Sequence, residues 1–533
     1  MNPRALLSIG HWATDGSTSA RGQAWDVDKF LRAEALARRF DALPHDAWPA
    51  AASRLNGSFA AVRTIGDSTA AVVDRLRSIP LFFASTAGGL LVADTAQALM
   101  AHVPKAPLDP VCAQEFHLTG YVTGAQTLAT GLWQLPSGHS LVHRAGQTAQ
   151  DGLLRYYAFR HADFSADSES ALIDRLASVH EHAFQRLRDD VGDRPLAIPL
   201  SGGYDSRLIG VMLRDLGFRN VLCYTYGTEG NWEAAISREL AAHLGFRWAM
   251  VPYSPQRWRA WSGTQAFSRY FAESGNRCAS PHFQDWPAVH ELKADAKLAP
   301  DAVFVPGHSG DFVAGSHVPR HFATTTQVSR EAVLEALFAS HYSLWDWPED
   351  RDGRWRNTMA SRIEAITGPL AAPTPEAAAD MFEAWDCAER QAKFIVNSVR
   401  VYESFGHTWR LPLFDTELMD FWSRVPLHHR VGRSLYFAYV AKYQQLPVRQ
   451  ANTDHPAMVA AAIDVVNRSG LRPLAKRAQR VLRKWRWQHE YAGGSLGWLA
   501  LVEPAQFRER YTGREIGHSF FAAQYLDLVG HNR

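Results

Sequence analysis

The chain has 533 residues, of which 46% are hydrophobic and 21% charged, with a net charge of +2. This length exceeds one ordinary hydrophobic core, so two or three domains are expected, and the balance is that of a folded globular protein. The near-neutral charge gives no basis for a nucleic-acid partner. Four scattered cysteines (Cys112, Cys223, Cys278 and Cys387) lack CxxC or zinc spacing, and no apolar run reaches the 18 residues of a membrane span. Reduced thiols and a cytoplasmic location are the corresponding expectation.

Residues 1–150 read as β-rich. Ser58-Phe-Ala-Ala-Val-Arg63, Thr69-Ala-Ala-Val-Val-Asp74 and Gly89-Leu-Leu-Val-Ala93 are short strand-like runs set off by Gly, Asp and Ser. Leu55-Asn-Gly-Ser-Phe-Ala60, Arg75-Leu-Arg-Ser-Ile-Pro-Leu-Phe-Phe83, Leu90-Leu-Val-Ala-Asp-Thr-Ala-Gln-Ala-Leu99 and Leu135-Pro-Ser-Gly-His-Ser-Leu141 resemble the amino-terminal glutaminase domain of asparagine synthetases. The resemblance implies an α-β-β-α sandwich over residues 1–160, with a cysteine nucleophile directly after the initiator Met. Position 2 is Asn2, which has no thiolate and cannot form the thioester that glutamine hydrolysis needs; the nearest cysteine is Cys112. The domain is expected to be a scaffold without glutaminase chemistry.

A linker is expected at 150–170. A helix follows at 168–188, with Leu172, Ile173, Leu176 and His180 on one face. The next stretch is Leu196-Ala-Ile-Pro-Leu-Ser-Gly-Gly-Tyr-Asp-Ser206: a short buried strand, a glycine turn, then apolar residues at helical spacing through Asp215. Strand, glycine turn and helix together aim backbone N–H groups and a positive helix terminus at a phosphate. Ser201 and Ser206 can add hydroxyl donors. Asp205 is an anion beside that phosphate and makes sense there as a Mg²⁺ ligand. Ser-Gly-Gly-x-Asp-Ser resembles the pyrophosphate loop of the N-type ATP pyrophosphatases at every fixed position. A second strand at 220–227, an amphipathic helix at 233–245 and a third strand at 248–252 alternate as in a parallel sheet. Ligands of such sheets sit at the carboxyl ends of the strands, which puts Leu200, Tyr226, Gly227 and the loop of Ser201, Gly202, Gly203, Asp205 and Ser206 on one rim.

A further strand at 302–306 ends in Gly307-His-Ser-Gly-Asp-Phe-Val-Ala-Gly315. This turn resembles the second signature of the asparagine synthetase superfamily. The resemblance places Gly307 at the nucleotide and makes Asp311 a second carboxylate facing Mg²⁺ across from Asp205. His308 falls where asparagine synthetases carry Glu and where relatives with other nucleophiles carry Tyr or His. There it would manage the proton of the attacking amine; otherwise it hydrogen-bonds its own turn.

Residues 385–445 read as helical and charged. Trp409-Arg-Leu-Pro-Leu-Phe-Asp415 resembles the family's Arg-x-Pro-Phe-Leu-Asp element. Arg400 or Arg410 could neutralise a phosphate or a substrate carboxylate, or be a structural ion-pair partner. Where the family offers Arg-x-Lys-x-Gly, this chain has Val448-Arg-Gln-Ala-Asn-Thr-Asp454; the electrophilic catalyst is unassigned, with Arg449 as a replacement candidate. The synthetase-like domain is expected over 161–465 and a helical extension over 466–533. Within that extension 474–487 is a basic amphipathic helix, which either packs one face on the body or lies on an anionic membrane surface.

The expected fold class is therefore α/β: an amidotransferase-like sandwich followed by a parallel-sheet ATP pyrophosphatase domain. The resemblance implies that ATP with Mg²⁺ adenylates a carboxylate, releasing PPi, and that ammonia or an amine then displaces AMP to give an amide. The carboxylate is a small molecule or a peptide. Gly-Tyr-Asp-Ser-Arg, Cys-Tyr-Thr-Tyr-Gly and Arg-Val-Tyr-Glu-Ser-Phe-Gly are similar to members linked to bacterial O-antigen and capsule synthesis, which points first to a sugar uronate. Aspartate, a ring-closing synthetase of the lasso-peptide or β-lactam kind, and an inactive scaffold are the alternatives. Peripheral membrane contact through 474–487 and a homodimer stay open.

Overall fold

The structure, a computed structural model, describes residues 5–103, 106–350, 352–369, 374–444, 491, 494–510 and 517–531. Asn2, Arg449 and the helix expected at 474–487 lie outside the described residues.

Two sheets occupy the first part of the chain. Its strands are β1 (Ala5–Leu6), β2 (Ala13–Asp15), β3 (Thr18–Asp26), β4 (Lys29–Arg32), β5 (Leu55–Ile65), β6 (Ser68–Val73), β7 (Phe82–Thr86), β8 (Gly89–Ala93), β9 (Trp133–Gln134), β10 (His139–His143) and β11 (Leu153–Arg155). One sheet has the order β1-β8-β7-β9; the other runs β11-β10-β6-β5-β3-β2, with β4 paired to β3. The runs expected at 58–63, 69–74 and 89–93 form β5, β6 and β8.

Period-two burial explains the layering. Ala60 and Val62 of β5 and Ala71 and Val73 of β6 face Phe83, Leu90 and Val92 of the other sheet. Their neighbours Phe59, Ala61, Ala70 and Val72 pack under the helices Ala33–Asp41 and Trp48–Ser53 through Leu36, Phe40 and Trp48. Phe82, Ala84 and Ala93 point the other way, onto Leu99 and Leu118 of the helices Ala96–Met100 and Pro110–Thr119. Both sheets are thus covered on both faces, giving the α-β-β-α sandwich.

The helix Glu169–Val191 leads into the second part, burying Leu172, Ile173, Leu176 and His180. Its sheet is wholly parallel, in the order β14-β13-β12-β15-β16, from β12 (Leu196–Pro199), β13 (Val221–Thr228), β14 (Arg247–Tyr253), β15 (Val303–Phe304) and β16 (Thr408–Trp409). The helices Tyr204–Asp215 and Trp232–Leu244 follow β12 and β13 as crossovers. Such near-continuous apolar strands suit a sheet buried on both faces. Near the C-terminus, Trp498, Leu499, Val502, Phe507, Phe520 and Phe521 enter the same core.

The turn after β15 is braced by its last glycine. Gly315 has φ +87°, and a Cβ there would stand 2.8 Å from the Arg430 carbonyl oxygen. Gly315→Ala is therefore expected to cost about 1–3 kcal/mol, from left-handed strain plus a backbone clash. Urea denaturation checks this: an unchanged midpoint would contradict it.

Candidate active site

Three strand ends meet at a cavity of about 540 Å³. Leu200, Ser201, Gly203, Tyr204, Asp205 and Ser206 after β12 line it, with Tyr226 of β13 and Gly307, His308 and Asp311 beyond β15. β12 lies between β13 and β15, so a parallel sheet delivers all three ends to one rim.

The Ser201 loop is preorganised for an anion. Ser201 N donates to Ser206 Oγ at 3.2 Å, the two hydroxyls stand 3.2 Å apart, and Gly203 N donates to Ser201 Oγ at 3.1 Å. The helix Tyr204–Asp215 begins here with Gly203 at its N-cap and no capping side chain. Its positive end therefore faces the cavity that Gly203, Tyr204 and Asp205 line. Gly202 and Gly227 belong to the same two strand ends without lining the cavity. A Cβ at Gly227, with φ +136°, would come within 2.8 Å of Ser495 O. Ser495 and Leu496 line the cavity from the C-terminal segment.

Asp205 and Asp311 are brought together. Asp311 N donates to Asp205 Oδ2 at 2.9 Å, and Tyr436 OH donates to Asp205 Oδ1 at 2.9 Å. An aspartate's carboxyl oxygens lie within about 5 Å of its own amide nitrogen, so the carboxylates stand within about 8 Å of each other. Burial first, and the charge of Asp311 second, raise the Asp205 carboxyl to about 7. A cation between the two acids would relieve both effects. Among the described residues no third His, Cys, Asp or Glu joins them as a metal cluster. Two carboxylates completed by substrate phosphates and water are what Mg²⁺ takes, so the donor set fits that ion. Asp311 is itself oriented by Ser316 Oγ at 3.0 Å. Beyond it His317 reaches buried Asp386 through Nδ1 at 2.5 Å.

His308 faces the opposite side of the cavity. Its Nε2 is 2.7 Å from Ser398 Oγ, and burial holds its pKa below the ordinary histidine value, so the ring is neutral near pH 7. Asp285, Gln284 and His282 extend this wall. Asp285 stands at the N-cap of the helix Trp286–Ala294, but its carboxylate makes no cap and instead accepts hydrogen bonds from the hydroxyls of Tyr226, of Tyr402 at 2.7 Å and of Tyr224 at 3.3 Å.

Neither arginine singled out from the sequence lines this cavity. Arg400 donates to Glu403 at 2.6 Å and to the carbonyl of Ser78, so it ties the second part of the chain to the first. Arg410 follows the edge strand β16 and grips both carboxyl oxygens of Asp190. Both are structural ion-pair partners, the alternative each residue type allows. The cation that does line the cavity is Arg433, whose charge acts on Asp205. No lysine joins it among the described residues. Arg433 and Tyr436 follow a Gly432 turn that carries no motif, so spacing alone gave no signal for either. Cys112, the cysteine nearest the missing nucleophile in sequence, is fully buried, and burial pushes its thiol up to about 12.

The chain matches the asparagine synthase family model over residues 181–451, just over half of its length. It belongs to the asparagine synthase family. That family comprises ATP-dependent amide-forming ligases, and the matched span holds the Ser201 loop, the Gly307 turn and β12 to β16. No curated protein sequence matches the chain.

If Arg400 is structural, Arg400→Ala should lower stability by about 3–5 kcal/mol, because it strips a buried carboxylate of one partner. Nucleotide affinity of the folded fraction should stay within about twofold of wild type, since Arg400 lies outside the cavity. Calorimetric unfolding and nucleotide titration below the melting range separate the two effects. A large affinity loss at unchanged stability would return Arg400 to the site.

Proposed function

We propose that this family member is an AMP- and PPi-forming ligase that activates a carboxylate, by chemical fit a sugar uronate, and transfers it to ammonia or an amine. The observation that carries the reading is the convergence of the Ser201 loop, Asp205, Asp311 and His308 on one cavity. The Ser201 and Ser206 hydroxyls and the positive helix terminus hold the β- and γ-phosphates of ATP. Arg433 adds positive charge beside them. Asp205 and Asp311 would hold Mg²⁺, which supplies charge neutralisation for the pyrophosphate as it leaves.

The substrate carboxylate oxygen attacks the α-phosphorus, the bond from that phosphorus to the bridging oxygen of the pyrophosphate breaks, and PPi departs. The amine nitrogen then attacks the acyl carbon, and the carbon–oxygen bond to AMP breaks. His308, neutral and steadied by Ser398, receives the amine proton. The wall of Asp285, Gln284, His282 and Ser398 offers hydrogen-bonding groups suited to a hydroxyl-rich acid, which is what favours a uronate over a plain amino acid. Positioning and fixed charge provide most of the rate.

The test is ATP–PPi exchange with a panel of hexuronates, nucleotide hexuronates, aspartate and peptides. Exchange is expected with a uronate and in a Mg²⁺-dependent manner. Asp205→Asn and Asp311→Asn should each lower it by about 10²-fold or more while melting stays near wild type. Exchange that survives either change would contradict the reading.

His308→Ala separates the two half-reactions. Exchange should persist, while amide formation from ammonium salts falls by about 10²–10⁴-fold. Equal loss in both would place His308 in the first step instead. Glutamine should not replace ammonium, since Asn2 provides no thiolate.

A further inference from the structure

A second cavity, of about 830 Å³, opens between the two parts of the chain and away from the Ser201 loop. One wall comes from the sandwich, with Gly10, Arg21, Arg32 and Ser58. The other comes from Asp190, Arg194 and the run Gly406 to Arg410. Its charges do not balance. Five guanidinium groups, those of Arg21, Arg32, Arg194, Arg400 and Arg410, gather around two buried carboxylates.

Both carboxylates are already committed. Glu403 accepts from Arg21, from Arg400 at 2.6 Å and from Trp409 Nε1 at 3.0 Å. Asp190 gives both oxygens to Arg410, and Arg32 lies 4.0 Å from one of them while donating to the Asp190 carbonyl at 3.0 Å. Arg194 has no carboxylate within ion-pair distance among the described residues. It donates to Thr408 Oγ1 at 3.2 Å, and its buried Nε has no partner. Burial, and then the nearby Arg410, disfavour its charge. The remaining acids stand at the rim, with Glu34 exposed and paired to His11, and Asp301 acting on Arg194 only at longer range. Guanidinium groups bind two oxygens of a carboxylate or a phosphate in a fork, so donors left over in a walled space call for such a ligand.

We propose that this interdomain cavity binds a doubly charged oxyanion, either a phosphate group or a dicarboxylate, through Arg194 and Arg32. The ligand would supply the negative charge that Asp190 and Glu403 do not. It would also bridge the sandwich to the edge of the parallel sheet.

The experiment is isothermal titration of the full chain with inorganic phosphate and, separately, with succinate. The wild type, the Arg32→Gln/Arg194→Gln variant and, as a control for the phosphate loop, Ser206→Ala are compared. At least one anion is expected to bind the wild type and Ser206→Ala alike, and about tenfold more weakly to the double variant. Which anion binds more tightly identifies the ligand class. Arg32 is largely exposed and Arg194 partly so, so the double variant should fold, and its melting curve without added anion verifies this. Equal binding by the double variant, binding lost in Ser206→Ala alone, or no binding of either anion overturns the proposal.

Discussion

The site depends on two acidic side chains being held side by side in the wall of the cavity. Asp205 starts a helix after one strand and Asp311 starts a short helix after the neighbouring strand, and the Asp311 N–H donates directly to the Asp205 carboxylate. Without a cation, burial and then the Asp311 charge favour the protonated form of Asp205. With one, the same geometry makes a socket for a metal carrying pyrophosphate. The close approach also requires small residues. A Cβ at Gly310 would stand 3.1 Å from Asp205 Cγ, and one at Gly307 would stand 3.2 Å from Ser206 N. The glycines at these turns therefore serve the distance between the loops as well as local conformation.

The sandwich keeps its layered core and is clamped to the ligase part by polar contacts, some of them buried. Arg21 and Arg400 share Glu403, Arg75 pairs with Asp420 at 2.8 Å, and Asn56 exchanges hydrogen bonds with Asp415 and Thr416 at 3.0 Å. Lys393, itself buried beside Glu389, donates to the carbonyls of Val122 and Gly124 at 2.8 Å. The buried charged contacts among them are costly to break singly, because each leaves a buried charge behind.

The parts of the fold legible in sequence were those written in short-range patterns. β5, β6 and β8 follow from alternation, and the Ser201 loop follows from six residues whose chemistry is local. The parallel order of β12, β13 and β14 follows from their spacing. What could not be read is set by contacts far apart in the chain. Arg400 and Arg410 look like free cations until the Ser78 carbonyl and Asp190 are seen beside them. Arg433 and Tyr436 reach the site from a segment with no motif. Asp285 carries no motif, and its carboxylate is claimed by two tyrosines of β13 and by Tyr402 of a distant helix. Ser495 and Leu496 close the cavity from a segment more than 200 residues beyond the loop they face.

The most direct measurement of the central claim needs no knowledge of the substrate: calorimetric titration of the protein with pyrophosphate, with and without Mg²⁺. The account predicts saturable binding at one site that requires Mg²⁺ and is lost in Asp205→Asn. Pyrophosphate binding that is equally tight in chelator, or no binding with Mg²⁺ present, would contradict it.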